Sequence, residues 1–412
     1  MLRRIIYLLI FALLLVPAQP LWAQADDGDT TVYLPVVNGV AAVAGADIGD
    51  ADLTDTLDAV EAASAGTGAV YVMTNANDAI RGNEVVMYHR SAEGVLTVTG
   101  RFPTGGQGLN GGLGSQGAVT LSDNGRWLFV VNAGSNELSV FAVHPFGLEL
   151  TDKVASGGVQ PISVTVRKGL VYVLNGGDSG NIAGFLLRRN GTLVSIAGSM
   201  QLLSNGGSGA APGPAQIAFT PDGKSLIVTE KGTNLIDSYK VARNGTASGP
   251  TVQNSAGVTP FGFAFARHGT LVVSEAFGGA ADASAASSYQ VDRQGTLSLV
   301  SNSVLTGQTA ACWVVVTNDG KYAYTTNAGS SSLSLYEVSN QGELTLLNSR
   351  VGETGAGTGP TDATVSRNGR LVYALSPSTQ TVIGFAVQSD GMLTVVGTFA
   401  GLPANAAGIA AW

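Results

Sequence analysis

The sequence predicts an all-β protein, a seven-bladed β-propeller with four-stranded antiparallel blades, closed by its own C-terminal strand. Three observations predict it. First, one unit recurs from Ala69 on: a short apolar strand, a turn with Gly, a strand ending in Asn, Glu or Ser, a polar loop, a strand with an aromatic near its end, a second Gly turn and a fourth strand. Four strands in a unit of roughly 45–50 residues is the signature of a propeller blade. Second, the third-strand aromatics keep register seven times, at Tyr88, Phe141, Phe185, Tyr239, Tyr289, Tyr336 and Phe385. Third, the second-turn glycines also number seven (Gly94, Gly147, Gly191, Gly245, Gly295, Gly342, Gly391), whereas the first-turn glycines number six, from Gly125 to Gly369.

The missing first turn has a simple reading. The first unit lacks its innermost strand, and the segment Ala406 to Trp412 has strand character with nothing after it. Pairing the two would remove two open sheet edges. Apolar alternation broken by frequent glycine, 56 in 412 residues, supports β-structure throughout, and no long amphipathic helix is legible. Asn-Gly turns supply the positive φ that tight hairpins need.

Ahead of the repeats the chain differs. Arg3 and Arg4 precede an apolar run from Ile5 to Val16, followed by Ala23-Gln24-Ala25. That run is too short to span a bilayer, and the pattern predicts a secretory signal peptide over 1–25. Residues 26–67 are expected to form an acidic, weakly ordered spacer, with Val32 to Val37 its one apolar patch, and 68–412 the propeller. The protein is thus expected to be secreted, periplasmic or held at the cell surface, with no membrane span after the signal is removed, and to be a monomer.

Charge narrows the partners. Of the 29 acidic residues nine lie in 26–67, and of the 21 basic residues two lie in the leader, so the body holds 20 acids against 19 bases. A neutral body excludes the basic footprint of a nucleic-acid binder. The single Cys312 cannot form an internal disulfide. His89, His144 and His268 are too scattered for a metal site, so no metal or cofactor is expected. The run Gly105 to Gly114 lacks the Lys-Ser/Thr and helix of a phosphate loop and reads as a flexible loop. Asn190-Gly191-Thr192 and Asn244-Gly245-Thr246 match a glycosylation pattern, but both are turns that the fold itself needs.

In a propeller the first strands line the central channel, and the loops from strand two to three and from blade to blade gather on one face. Strand two ends there at Asn75, Asn132, Asn175, Glu230, Glu275, Asn327 and Ser376. Glu230 and Glu275 sit on neighbouring blades; paired carboxylates can divide acid and base roles, and can equally cap strands or bind loop amides. Asn132, Asn175 and Asn327 are candidate binding residues of the same ring. First strands offer Ser163, Gln216, Cys312, Trp313 and Asp362. Trp313 suits a stacking platform or a core position. Cys312 reads as packing.

Gly213-Pro214-Ala215-Gln216-Ile217-Ala218-Phe219-Thr220-Pro221-Asp222-Gly223 and Val228-Thr229-Glu230 resemble the lactonase-type seven-bladed propellers, the family of bacterial 6-phosphogluconolactonase and fungal 3-carboxy-cis,cis-muconate lactonizing enzyme. Tyr324-Thr325-Thr326-Asn327 is similar to the short repeat of surface-layer propellers. The stretches Thr259 to Phe263, Val273 to Phe277 and Thr309 to Trp313 resemble an exported branch of the lactonase family. The resemblance covers about 69–412. It implies a lactone hydrolase; together with the carboxylate pair of neighbouring blades it gives the expectation of an enzyme acting on a neutral lactone or ester, with Glu230 and Glu275 as general base and acid and Gln216 polarising a carbonyl. The departure is specific: where active members carry Gly-Pro-Arg-His, this chain has Gly213-Pro214-Ala215-Gln216, and the acidic partner alone, Glu230, matches. Without that Arg an acidic substrate loses its counter-charge. The alternative is a non-catalytic propeller that binds a glycan or protein at its Asn-, Ser- and Gly-rich channel mouth.

Overall fold

A computed structural model describes residues 67–412; the leader and spacer expected over 1–67 fall almost wholly outside the described residues. Seven antiparallel sheets follow one another around a ring. Blade 2 is representative, with strands Val119–Leu121, Trp127–Asn132, Glu137–His144 and Gly147–Ala155 from the channel outward. Blade 3 departs at its outer edge, where the fourth strand is split into Leu193–Ser195 and Gln201–Leu202.

Burial explains the sequence pattern strand by strand. The second strands have both faces covered, because each sheet packs between two others, and they read as continuous apolar runs such as Leu128 to Val131. Outer strands such as Leu96–Pro103 alternate, with one face in water. All seven third-strand aromatics are buried. The tyrosine hydroxyls among them find partners on the blade before: Tyr88 on Ala400 O at 3.2 Å, Tyr239 on Leu202 O at 2.9 Å, Tyr336 on Val304 O at 2.8 Å, while Tyr289 accepts from Ala256 N at 2.7 Å. Second-strand tyrosines reach the other way. Tyr172 donates to Gly245 O, Tyr324 to Gly391 O and Tyr373 to Gly94 O, at 2.6, 2.7 and 2.8 Å. A buried phenol without such a partner would be costly, so these positions fix blade-to-blade spacing as well as packing.

The ring closes as the sequence predicts. Ala407–Ala411 pairs antiparallel with Gly68–Met73 and forms the innermost strand of blade 1. Trp412 N donates to Ala69 O at 2.9 Å, and Arg90 Nη2 donates to Trp412 O at 3.1 Å. The Trp412 ring lies under the Arg367 guanidinium of blade 7, 3.6 Å from the ring centre, and over Gly125 of blade 2. A Cβ at position 125 would stand 2.4 Å from that ring, and φ there is +68°, so glycine is required twice over.

Candidate active-face geometry

The connections gathered on one face define the loop face, and the Gly turns define the turn face. On the loop face the ring of strand-two ends is buried, and five of its members hold the connection arriving from the preceding blade. Asn132 Oδ1 accepts from Thr104 Oγ1 at 2.6 Å; Asn175 Nδ2 donates to Ser156 O at 3.3 Å; Ser376 Oγ donates to Thr358 O. Glu230 accepts from Ser204 N at 3.0 Å, Ser204 Oγ at 2.6 Å and Thr233 Oγ1 at 2.5 Å. Glu275 accepts from Gly257 N at 2.8 Å, Ser287 Oγ at 2.5 Å and Ser303 Oγ at 2.6 Å. Asn327 Nδ2 donates to Ser332 and Ser334 on its own blade, at 3.1 and 2.9 Å. Asn75 holds the loop beyond blade 1, through Leu109 N and Gly111 O.

The two carboxylates therefore do not meet. Each is fully buried and satisfied within its own blade and the connection entering it. Burial raises the pKa of Glu275, while Ser287, Ser303 and the Gly257 amide pull it back. Beside Glu230 stands Asp237, which the sequence pattern does not single out. Burial and the Glu230 charge push Asp237 up to about 8.

What fills the channel mouth is the segment that follows the Gly-rich run. Ser115, Gln116 and Gly117 cross between the inner strands of blades 3, 4 and 6. Gln116 N donates to Ala215 O at 3.0 Å, its Nε2 to Val314 O at 2.8 Å, and its Oε1 accepts from Val314 N at 3.2 Å. Ser163 Oγ donates to Gln116 O at 2.6 Å, Ser115 Oγ to Ile162 O at 2.8 Å, and Trp313 Nε1 to Ser115 O at 2.8 Å. Ser115, Gln116 and Gly117 thus form a pinned plug. The run Gly105 to Gly114 ahead of it, expected to be a flexible loop, is itself tied down, with Asn83 N donating to Gly106 O and Gly108 N to Ala76 O. Gly262 makes room, since a Cβ there would lie 2.1 Å from Gln116 Oε1.

Around the plug sit Ala215, Phe261, Cys312, Trp313 and Lys231. Phe261 and Trp313 pack with ring centres 4.9 Å apart, and Lys231 Nζ lies 4.6 Å from the Phe261 ring centre. Lys231 donates to Gly114 O and to Pro214 O. Burial lowers its pKa to about 8, and burial pushes the Cys312 thiol up to about 12. Lys231 was invisible in the sequence because it follows Glu230 in an ordinary polar loop. Gln216 lies in the wall of the channel with its amide turned to the neighbouring blade. Its Nε2 donates to Phe263 O at 3.0 Å and its Oε1 accepts from Phe263 N at 2.7 Å, stapling blades 4 and 5.

Beneath the plug the channel continues as a cavity of about 420 Å³ between the inner strands, lined by Gln116, Thr120, Gln216, Thr364 and apolar side chains. Asp362 stands at its wall, 2 % exposed. Its Oδ1 accepts from Ala363 N at 2.8 Å and its Oδ2 has no hydrogen-bond partner. Burial pushes it up to about 7, moderated by the N–H groups of Ala363, Ile409 and Gly117. Among the described residues no group of three or more His, Cys, Asp or Glu could hold a metal, and no helix is long and apolar enough to cross a membrane.

A family model, the lactonase seven-bladed β-propeller, matches residues 71–202, 179–314 and 283–411, which overlap to span the ring. No curated protein matches the sequence. Among solved structures, a candidate 6-phosphogluconolactonase of Bacteroides fragilis is 17 % identical with a TM-score of 0.66, over 84 % of this chain and 97 % of its own. A candidate 6-phosphogluconolactonase of Bacteroides uniformis is 16 % identical with a TM-score of 0.66, over 83 % and 99 %. The periplasmic gluconolactonase of Pseudomonas aeruginosa is 16 % identical with a TM-score of 0.66, over 83 % and 98 %. At these identities the likeness is one of fold. The family model, spanning blade 1 to the closing strand, shows that this chain belongs to the seven-bladed β-propeller lactonases.

Proposed function

We infer that the chain works outside the cytoplasm as a ligand-binding member of the lactonase family, taking a neutral polar ligand such as a glycan on its loop face. One observation carries this reading. Glu230 and Glu275, the carboxylates best placed by sequence for acid and base roles, each accept three hydrogen bonds from their own surroundings. A general base must reach the proton it removes, and these two have their lone pairs committed elsewhere. The absent Arg-His pair agrees. Ala215 is fully buried under the plug, and Gln216 spends both ends of its amide on Phe263. Export rests on the leader pattern of residues 1–25.

A second reading keeps lactone hydrolysis and is favoured by Lys231. Near neutral pH an amine with a pKa of about 8 is partly unprotonated, and this one lies beside the Phe261 and Trp313 rings at the plugged mouth. The same assay separates the readings. The secreted chain, folded by circular dichroism, is given a panel of neutral and acidic lactones, and is also applied to a glycan array. Glycan binding without acid release is the expected result. Acid release lost in Lys231→Met and kept in Glu230→Gln would install the second reading. Acid release lost in a folded Glu230→Gln would return the carboxylate pair to catalysis and overturn the ligand-binding reading.

A further inference from the structure

The turn face carries a feature that the loop-face function does not use. Between blades 2 and 3 lies a crevice of about 670 Å³, walled by three neighbouring turns: Ser122 to Trp127, Lys168 to Gly169, and Leu187 to Arg189. Four cations line it, Arg126, Lys168, Arg188 and Arg189, against one acid, Asp123. Elsewhere on this near-neutral body the bases are commonly paired, as Arg101 with Glu84, Lys153 with Glu137, Arg267 with Asp319 and Arg350 with Glu353. Among the described residues the four crevice cations form no ion pair.

The floor is apolar and fixed. Trp127, Val166 and Leu187 form it. The Trp127 ring lies so close to Gly191 that a Cβ there would stand 2.3 Å from it, which locks the ring against the neighbouring turn. Lys168 is held at φ +49°, a conformation that a lysine adopts at a cost, next to Gly169 at +81°. Lys168 and Gly169 form a two-residue turn of the kind that glycine or asparagine makes without strain.

We propose that this crevice binds an acidic saccharide, one whose ring lies on the Trp127 floor and whose carboxylates are taken by the Arg188, Arg189 and Arg126 forks. A guanidinium matches a carboxylate bidentately, which a lysine cannot do, and three of the four cations are arginines. The apolar floor suits the ring face of a sugar better than a compact inorganic anion, which would leave Trp127, Val166 and Leu187 uncovered. The crevice is separate from the loop face, so its test does not depend on what that face binds.

The probe is a galacturonic acid trisaccharide, titrated calorimetrically into the full secreted chain at low salt, with neutral maltotriose and pyrophosphate as separate arms. The expected result is binding of the acidic trisaccharide, none of maltotriose, and weakening of about tenfold or more in Arg188→Met/Arg189→Met, since charge-assisted hydrogen bonds of this kind are lost with the guanidinium groups. Affinity should also fall as salt shortens the reach of the four charges. Both arginines are exposed turn residues, so the double variant is expected to fold, and circular dichroism checks that it does. No binding by folded protein, equal binding by the variant, or binding of pyrophosphate alone would each overturn the proposal.

Discussion

Asp362 is a buried carboxyl whose ionisation the surrounding N–H groups offset only in part. Its Oδ2 is unpartnered and its carboxyl is pushed up to about 7, so the folded chain holds the proton more tightly than the unfolded chain, whose carboxyl titrates near 3.9. The stability from this group is fully present below about pH 4 and is lost as the pH rises toward and through 7. Asp362→Asn removes that dependence. The melting temperature of the variant relative to the parent should therefore rise between pH 5 and pH 8, by the equivalent of about 2–4 kcal/mol. A difference that stays flat across this range would show that Asp362 is solvated or paired in solution. Asp237, pushed up to about 8, acts in the same direction but is present in both proteins and cancels in the comparison.

At this scale the sequence was a good guide to position and a poor guide to purpose. The ring of strand-two ends was legible because each member closes an apolar run. What each member binds was not legible, because the partners of Glu275, Ser287 and Ser303, lie 12 and 28 residues away on strands and bulges with no fixed spacing. Residue type did not separate a catalytic carboxylate from one that pins a loop.

Among the elements, the plug is the one with most to decide. It is a stretch of connection between blades 1 and 2, yet it ties together inner strands of blades 3, 4 and 6. Gly262→Val places a Cβ where Gln116 Oε1 now sits and should expel the segment from the channel. The same Cβ would stand 2.9 Å from Cys312 O and Trp313 Cα on the inner strand of blade 6, so Gln116→Ala, which drops the side-chain bonds to Val314 without that clash, is measured beside it and should give the same result. The readout is Trp313, whose indole N–H now donates to Ser115 O. Its fluorescence should red-shift as the indole becomes wet, and proteolysis within 104–117 should accelerate severalfold, as local opening becomes cheap. Unchanged cleavage and emission would mean that the plug is held without Gln116. The sequence shows a Gly-rich run, Gly105 to Gly114, just ahead of the plug and suggests mobility, since glycine permits many conformations. The structure uses the same freedom for close approach: a Cβ at Gly106 would collide with Asn132, and one at Gly108 with the Asn75 backbone. Composition does not tell these two uses of glycine apart, whereas the blades, built on repeats, were read almost strand for strand.

For the molecule as a whole, closure is the contact that no single blade provides. Seven units were counted correctly because an absent first turn and a surplus terminal strand are both visible in the sequence. The Arg367 guanidinium over the Trp412 ring, and the seat of that ring on Gly125, were not, because they join blades 7, 1 and 2 through residues far apart in the chain. Removing 407–412 should leave the strand Gly68–Met73 with an unpaired edge, and the product should lose its cooperative unfolding transition and aggregate. Trp412→Ala keeps the strand pairing and loses the ring contacts alone. It should fold and unfold cooperatively with about 1–3 kcal/mol less stability, measured by denaturant titration. A truncated chain that melts as sharply as the parent would show that blade 1 is complete without the closing strand.

The closing strand also sets a condition on how the molecule is made. Arg90 and Trp412 are 322 residues apart, so the bond between them joins stretches of chain that are synthesised at widely separated times. Six blades can assemble from neighbouring chain as it appears, but blade 1 waits for the last strand. Until that strand arrives, the edge of Gly68–Met73 stays open, so the molecule carries an adhesive, apolar edge for most of its assembly and loses it in a single pairing step.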